Sequence, residues 1–266
     1  MTAHYTPEFL EHARKVLSTE LTPPPPFITG GYIPDRPLPW TSPEPKFVTQ
    51  ELLDMAKLLE ETPEIMFDLE TLHLGPRACI VSLGAVAFNV RHCSSVSDFK
   101  SPVGEAWGLG ARSFYRVLDL PIQQSKGRVI DADTVKWWMT QGDAAKKVFA
   151  VEPWSPYGVL ESFRAWVLRQ GGKRLWANPT TFDVPKLESI FEDFGCRLPF
   201  TYRDYRDLKT LKAVTRPLDK ADYADLVSHH ALDDAIYQAL EVQRVYRYNP
   251  ELRAESDSDG AKQNGG

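Results

Sequence analysis

The chain has 266 residues, enough for one domain with appendages or two small domains, and its 42% hydrophobic and 25% charged residues are ordinary for a soluble globular protein. A formal net charge of -5 argues against coating nucleic acid through bulk positive charge, though not against an enzyme that grips a few nucleotides locally. Charged residues break every apolar stretch before membrane-spanning length, MTAHYTPEFLEHARK does not read as a secretory leader, and Cys79, Cys93 and Cys196 are too scattered for a cysteine zinc site, so the expectation is a cytoplasmic protein with reduced thiols and no membrane association.

Residues 7–20 carry an amphipathic helical pattern (Phe9, Leu10, Ala13, Val16, Leu17). Residues 22–46 concentrate prolines, which cannot donate backbone hydrogen bonds, and read as an extended connector. It is either a strap on the surface or a docking segment for a proline-binding protein partner. Residues 1–46 are thus an N-terminal helix and proline-rich arm, 47–249 the main domain opened by a helix over 47–61, and 250–266 a polar tail expected to be disordered.

Within the main domain, 65–69, 79–90 and 112–118 read as strands close enough for an antiparallel meander, with the HLGP turn after the first. Asp133 is placed to cap a helix over TVKWWMTQ that Gly142 ends, and DAAKKVFA follows. An amphipathic helix over 157–170 closes at Gly171 and Gly172. Then come a strand at 174–178, a helix ending at Gly195, a strand-like FTYRDY, a short helix LKTLKAV and a last helix over about 230–247. This order predicts an α/β domain with a mixed sheet, antiparallel on one side and parallel on the other. This order does not suit a doubly wound dinucleotide fold, and no GxGxxG follows the first strand.

Strand side chains alternate, so Asp68 and Glu70 project from one face, where two adjacent carboxylates repel and hard cations with oxygen ligands would compensate them. Asp183, two residues before Pro185, is either a helix N-cap or a functional acid. His229, His230, Asp233 and Asp234 open the last helix; the acids suit a helix N-terminus, whereas histidine is the usual proton acceptor near neutral pH.

DLET at 68–71, FD at 182–183 and HHALDDA at 229–235 resemble, in order, the three motifs of the DEDDh-type 3′–5′ exonucleases. Trp137–Trp138, Trp176–Leu187 and Arg206–Leu211 extend the likeness toward a bacterial and phage subgroup, over about 65–247. The resemblance implies a ribonuclease H-like fold and hydrolysis of single-stranded DNA or RNA from the 3′ end, releasing nucleoside 5′-monophosphates with two Mg²⁺ or Mn²⁺ ions. It implies Asp68, Glu70, Asp183 and Asp234 as metal-binding carboxylates and His229 as general base. His230 stays the alternative base, because on an ideal helix it is the residue that shares a face with Asp234. Asp233 is read as a helix N-terminal charge. Thr71 and Leu72 are expected near the terminal sugar, and Trp176 and Arg206 at the substrate. Trp137 and Trp138 are either stacking surfaces or core, and Arg203, Lys209 and Lys212 either follow a phosphate backbone or face solvent. A homodimer is left open.

Overall fold

The structure is a computed structural model that describes residues 63–100, 112–219, 221, 223, 225–249 and 252. The expected helices at 7–20 and 47–61, the proline-rich segment and all of the tail but residue 252 lie outside the described residues.

The elements follow the order β1 (Glu64–Thr71), β2 (Ile80–Phe88), α1 (Val96–Lys100), β3 (Ser113–Val117), α2 (Leu120–Ser125), α3 (Ala132–Met139), α4 (Asp143–Lys146), a 3₁₀ turn (Lys147–Ala150), α5 (Pro156–Gln170), β4 (Leu175–Ala177), α6 (Thr180–Asp193), β5 (Tyr205–Asp207), α7 (Leu208–Val214) and α8 (Ala231–Tyr248). The strands form one five-stranded sheet in the order β3-β2-β1-β4-β5. β1–β2 and β2–β3 are antiparallel, while β1–β4 and β4–β5 are parallel. This is the mixed sheet read from the sequence, antiparallel on one side and parallel on the other. Among the described residues no helix is long and apolar enough to cross a membrane.

Alternation along β1 assigns its two faces. Ile65, Phe67 and Leu69 join Leu83, Ala85 and Ala87 of β2 in a core completed by α5 and α6 residues such as Leu160, Phe163, Leu187 and Ile190. Met66 joins Val86, Phe88 and Trp176 beneath Ala235, Ile236, Ala239 and Leu240 of α8. Asp68 and Glu70 have the parity of Met66, so β1 delivers both acids to the α8 side of the sheet.

Gly84 sets how close α8 comes. It pairs with Asp68 across β1–β2, and a Cβ there would lie 2.2 Å from Ala231 C and from Leu232 N. The helix backbone occupies the space a side chain would need. Gly84→Ala is expected to push the start of α8 off the sheet and destabilise the fold by about 2–3 kcal/mol, the upper range for overpacking. Thermal unfolding measures that loss. A melting temperature within a degree of the wild type would contradict the close approach.

Several local expectations shift. Asp131, not Asp133, caps α3: its Oδ2 accepts from Thr134 N at 2.8 Å, while the Asp133 side chain turns to solvent beside Lys136. Gly142 stands at the N-cap of α4, and Thr140 ends α3. β5 starts only at Tyr205, because Thr201 and Asp204 close a turn in which Asp204 Oδ2 accepts from Thr201 N at 2.7 Å. Gly171 takes the left-handed conformation (φ 67°) that ends α5.

Candidate active site

Asp68, Glu70, Asp183, His229 and Asp234 line a single cavity of about 500 Å³, together with Thr71, Leu74, Trp137, Asn178 and Phe182. The cavity lies at the carboxyl end of β1 and β4, where crevices of open α/β sheets gather ligands. Each of the three sequence segments supplies its acid from a different element: β1, the first turns of α6, and the first turn of α8.

Asp183 does not cap its helix. α6 begins at Thr180, and Asp207 of β5 does the capping, its Oδ2 accepting from Thr180 N at 2.6 Å. Asp183 is therefore an interior helical residue, almost fully buried, facing the cavity. Behind it lies Lys186, also buried, whose Nζ donates to Phe182 O at 2.7 Å and sits over the Phe182 ring.

The two histidines have separate places. α8 begins at Ala231, so both precede it and helical spacing does not decide between them. His230 is the N-cap, accepting from Asp233 N, and its ring stacks on Tyr115 with centroids 4.4 Å apart. His229 adopts φ 62°, uncommon for a residue with a side chain, and this turns it into the cavity. Its backbone N–H donates to Asp234 Oδ2 at 2.9 Å, and its ring meets the edge of Trp137 at 4.9 Å between centroids. Asp233 is more than a helix N-terminal charge. It accepts from Val227 N at 2.9 Å and pairs with Lys100 at 2.8 Å, which pins the loop that carries His229.

The acids raise one another. Burial first, then the charges of Asp183, Glu70 and Asp234, push the Asp68 carboxyl well above its usual range. Burial followed by the charges of Asp234 and Asp183 takes Glu70 to about 8. Burial takes Asp183 to about 7 against the opposing charge of Lys186, and takes Asp234 to about 6 against the His229 backbone hydrogen bond. Burial lowers Lys186 to about 8. A carboxyl whose folded value lies above its unfolded value binds its proton more tightly in the folded state. Raising the pH through the ordinary carboxylate range therefore removes stability, and the loss continues until the folded values are passed. His230 and Lys186, both lowered by burial, act in the opposite sense, Lys186 only as the pH nears 8, two groups against four. The metal-free protein is expected to melt at progressively lower temperature from pH 5 to about pH 8, the value to which Glu70 is raised. Scanning calorimetry in EDTA checks this, and a melting temperature that climbs over that range would contradict it.

The donor set fits a hard divalent cation. One ligand atom each from Glu70, His229 and Asp234 lie within 4.8 Å of one another, and Asp68 and Asp183 face the same space. Oxygen donors on this scale suit Mg²⁺ or Mn²⁺, and a cation would offset the burial and mutual charge that push these carboxyls above their usual range.

Other sequence expectations fall elsewhere. Thr71 lines the cavity, but Leu72 is buried in a separate apolar cluster with Val81, Val117 and Trp138. Trp176 is a correction: it is 3% exposed in the core, its Nε1 is hydrogen-bonded to Glu64, and its register opposite Met66 sets it back from the cavity. Arg206 pairs with Trp176 in β5 and donates to Arg203 O and Tyr205 O, so it too stands away from the cavity wall. Trp138 is core, its Nε1 donating to Thr71 O at 3.1 Å. Trp137 is 43% exposed and in the cavity wall. Sequence reasoning gave no role to Lys186, Gly84 or Gln238, although the family likeness runs through Gly84 and Gln238; for Gln238 the signal was its place one helical turn beyond Asp234.

A mixed sheet carries acids from three motifs to one cavity, an arrangement suited to metal-assisted hydrolysis. Residues 63–246 match the family described as the 3′-5′ exoribonuclease Rv2179c-like domain; the chain belongs to that family and is a 3′–5′ exonuclease. Among solved structures it is similar to Pop2p of S. pombe in its Mg²⁺- and Mn²⁺-bound form, at 15% identity over 74% of this chain and 88% of that one, with a TM-score of 0.46. It is also similar to the RNase domain of the yeast Pop2 protein, at 9% identity over 75% and 82%, with a TM-score of 0.43. No curated protein matches the chain.

Proposed function

We propose that this exonuclease removes nucleotides from the 3′ end of single-stranded RNA, using two Mg²⁺ or Mn²⁺ ions held by Asp68, Glu70, Asp183 and Asp234 and His229 as the general base. The observation that carries this reading is the convergence of these five side chains, from three distant segments, on one cavity. RNA is favoured because the family is described by exoribonuclease activity.

Bound divalent ions supply Lewis-acid stabilisation of the negative charge that builds on the scissile phosphate. The chain's own groups do the rest. His229 accepts a proton from the attacking water as its oxygen bonds to phosphorus. The bond from phosphorus to the 3′ oxygen of the preceding nucleotide breaks, and that oxygen takes a proton from solvent. The products are a nucleoside 5′-monophosphate and a strand one nucleotide shorter. Asp234 orients the His229 backbone, and the Trp137 edge restricts its ring. Leu74, Trp137 and Phe182 offer apolar wall against which a terminal base can pack.

The test is a time course on matched, 5′-labelled single-stranded RNA and DNA with Mg²⁺, Mn²⁺ or EDTA. A ladder shortening from the 3′ end of RNA, silent in EDTA, is expected. Faster shortening of DNA would overturn the choice of RNA, and undiminished cleavage in EDTA would overturn the metal-dependent reading.

A further inference from the structure

We propose that Gln238 is a positioning residue for Asp68, fixing the carboxylate that the divalent ion meets; this rests on the function proposed above. Gln238 lies on α8 four residues after Asp234, hence on the same helical face. Its Nε2 donates to Asp68 Oδ1 at 2.8 Å, the one side-chain hydrogen bond joining α8 to the first motif acid among the described residues. Once a cation has ionised Asp68, the flipped amide would set its oxygen against a carboxylate oxygen, two acceptors face to face, so the metal-loaded site selects this orientation.

That orientation carries a cost. Gln238 is 6% exposed, and its Oε1 has no hydrogen-bond partner among the described residues. A buried acceptor left this way destabilises a fold by about 1–3 kcal/mol. Of the neighbouring helix positions, Ala235, Ala239 and Val242 are buried and apolar, while Asp234 faces the cavity and buried Glu241 is ion-paired with Lys212 and Arg244. Leucine or methionine at this position would pack there without an orphan oxygen. The amide is worth its penalty only for what its N–H does, and its N–H holds Asp68. The bond to Oδ1 takes one of its two lone pairs and fixes the plane of the carboxylate, leaving Oδ2 without a protein donor from Gln238. Gly84, opposite Asp68 and beneath the start of α8, brings helix and strand close enough for this bridge.

Groups that orient a metal-binding side chain typically contribute about 10–100-fold to metal affinity. Gln238→Met in the full chain removes the donor and keeps the volume. Mn²⁺ titrated by calorimetry is expected to bind at least about tenfold more weakly than to wild type, and the Mn²⁺ concentration for half-maximal cleavage should rise by the same factor. The melting temperature in EDTA should hold or rise, because the orphan oxygen is gone. Mn²⁺ affinity within twofold of wild type would overturn the proposal, as would a lower melting temperature with unchanged affinity. If Gln238→Met does not fold, the side-chain amide of Gln238 in ¹⁵N-labelled wild type decides: Mg²⁺ should shift its signal, and an unmoved signal overturns the proposal. A wild type that binds no Mn²⁺ at all would instead refute the proposed function.

Discussion

Asp68→Ala is expected to lower single-turnover cleavage of RNA by on the order of a thousandfold or more. A divalent ion in a site of this kind contributes several kcal/mol of transition-state stabilisation, and each 1.36 kcal/mol is a factor of ten. Asp68 sits at the centre of the acid cluster, between the Gln238 amide and the charges of Asp183, Glu70 and Asp234. The same substitution should leave the metal-free protein at least as stable as wild type, because it removes one of four buried, mutually repelling carboxyls. Stability kept and activity lost is the signature of a site residue. Cleavage within tenfold of wild type would remove Asp68 from the metal-binding set.

His229→Gly is the second large effect. Glycine accepts the left-handed φ of 62° without strain, so the substitution removes the imidazole and leaves the backbone N–H that reaches Asp234. A general base contributes about 10²–10⁴ in rate, and a loss of that size is expected at saturating metal, with partial recovery on adding imidazole. His230→Ala should behave differently. It removes an N-cap and a ring stacked on Tyr115, costing about 1 kcal/mol of stability, with a rate loss under about tenfold. A larger rate loss at His230 than at His229 would reverse the assignment of the base.

The mixed sheet and the longer helices were legible because the signals are local: alternation in β1 and β2, glycine stops at Gly171 and Gly195, and the apolar stripe of α5; the short α1 and α2 carried no such signal. The acids of the cavity were legible through motif order. What the sequence could not settle depended on register and on exact element starts. Trp176 and Arg206 lie in recognisable strands, but Trp176 pairs with Met66 and Arg206 with Trp176, which sets both back from the strand ends where the cavity opens. The choice between His229 and His230 turned on where α8 begins, and a helix starting at Ala231 takes both outside the four-residue rule. Asp183 looked like a cap because Pro185 follows it, yet the cap comes from Asp207, brought across by the parallel pairing of β4 and β5. Asp131 and Asp133 are both plausible caps for α3, and only the side-chain hydrogen bonds to Thr134 choose between them.

The most direct test of the central claim is anomalous diffraction from crystals of the full chain grown with Mn²⁺ and a 3′-terminal nucleoside 5′-monophosphate. Two manganese peaks are expected in the cavity, bounded by Asp68, Glu70, Asp183 and Asp234. A cavity without manganese in crystals whose dissolved protein still degrades RNA would contradict that expectation.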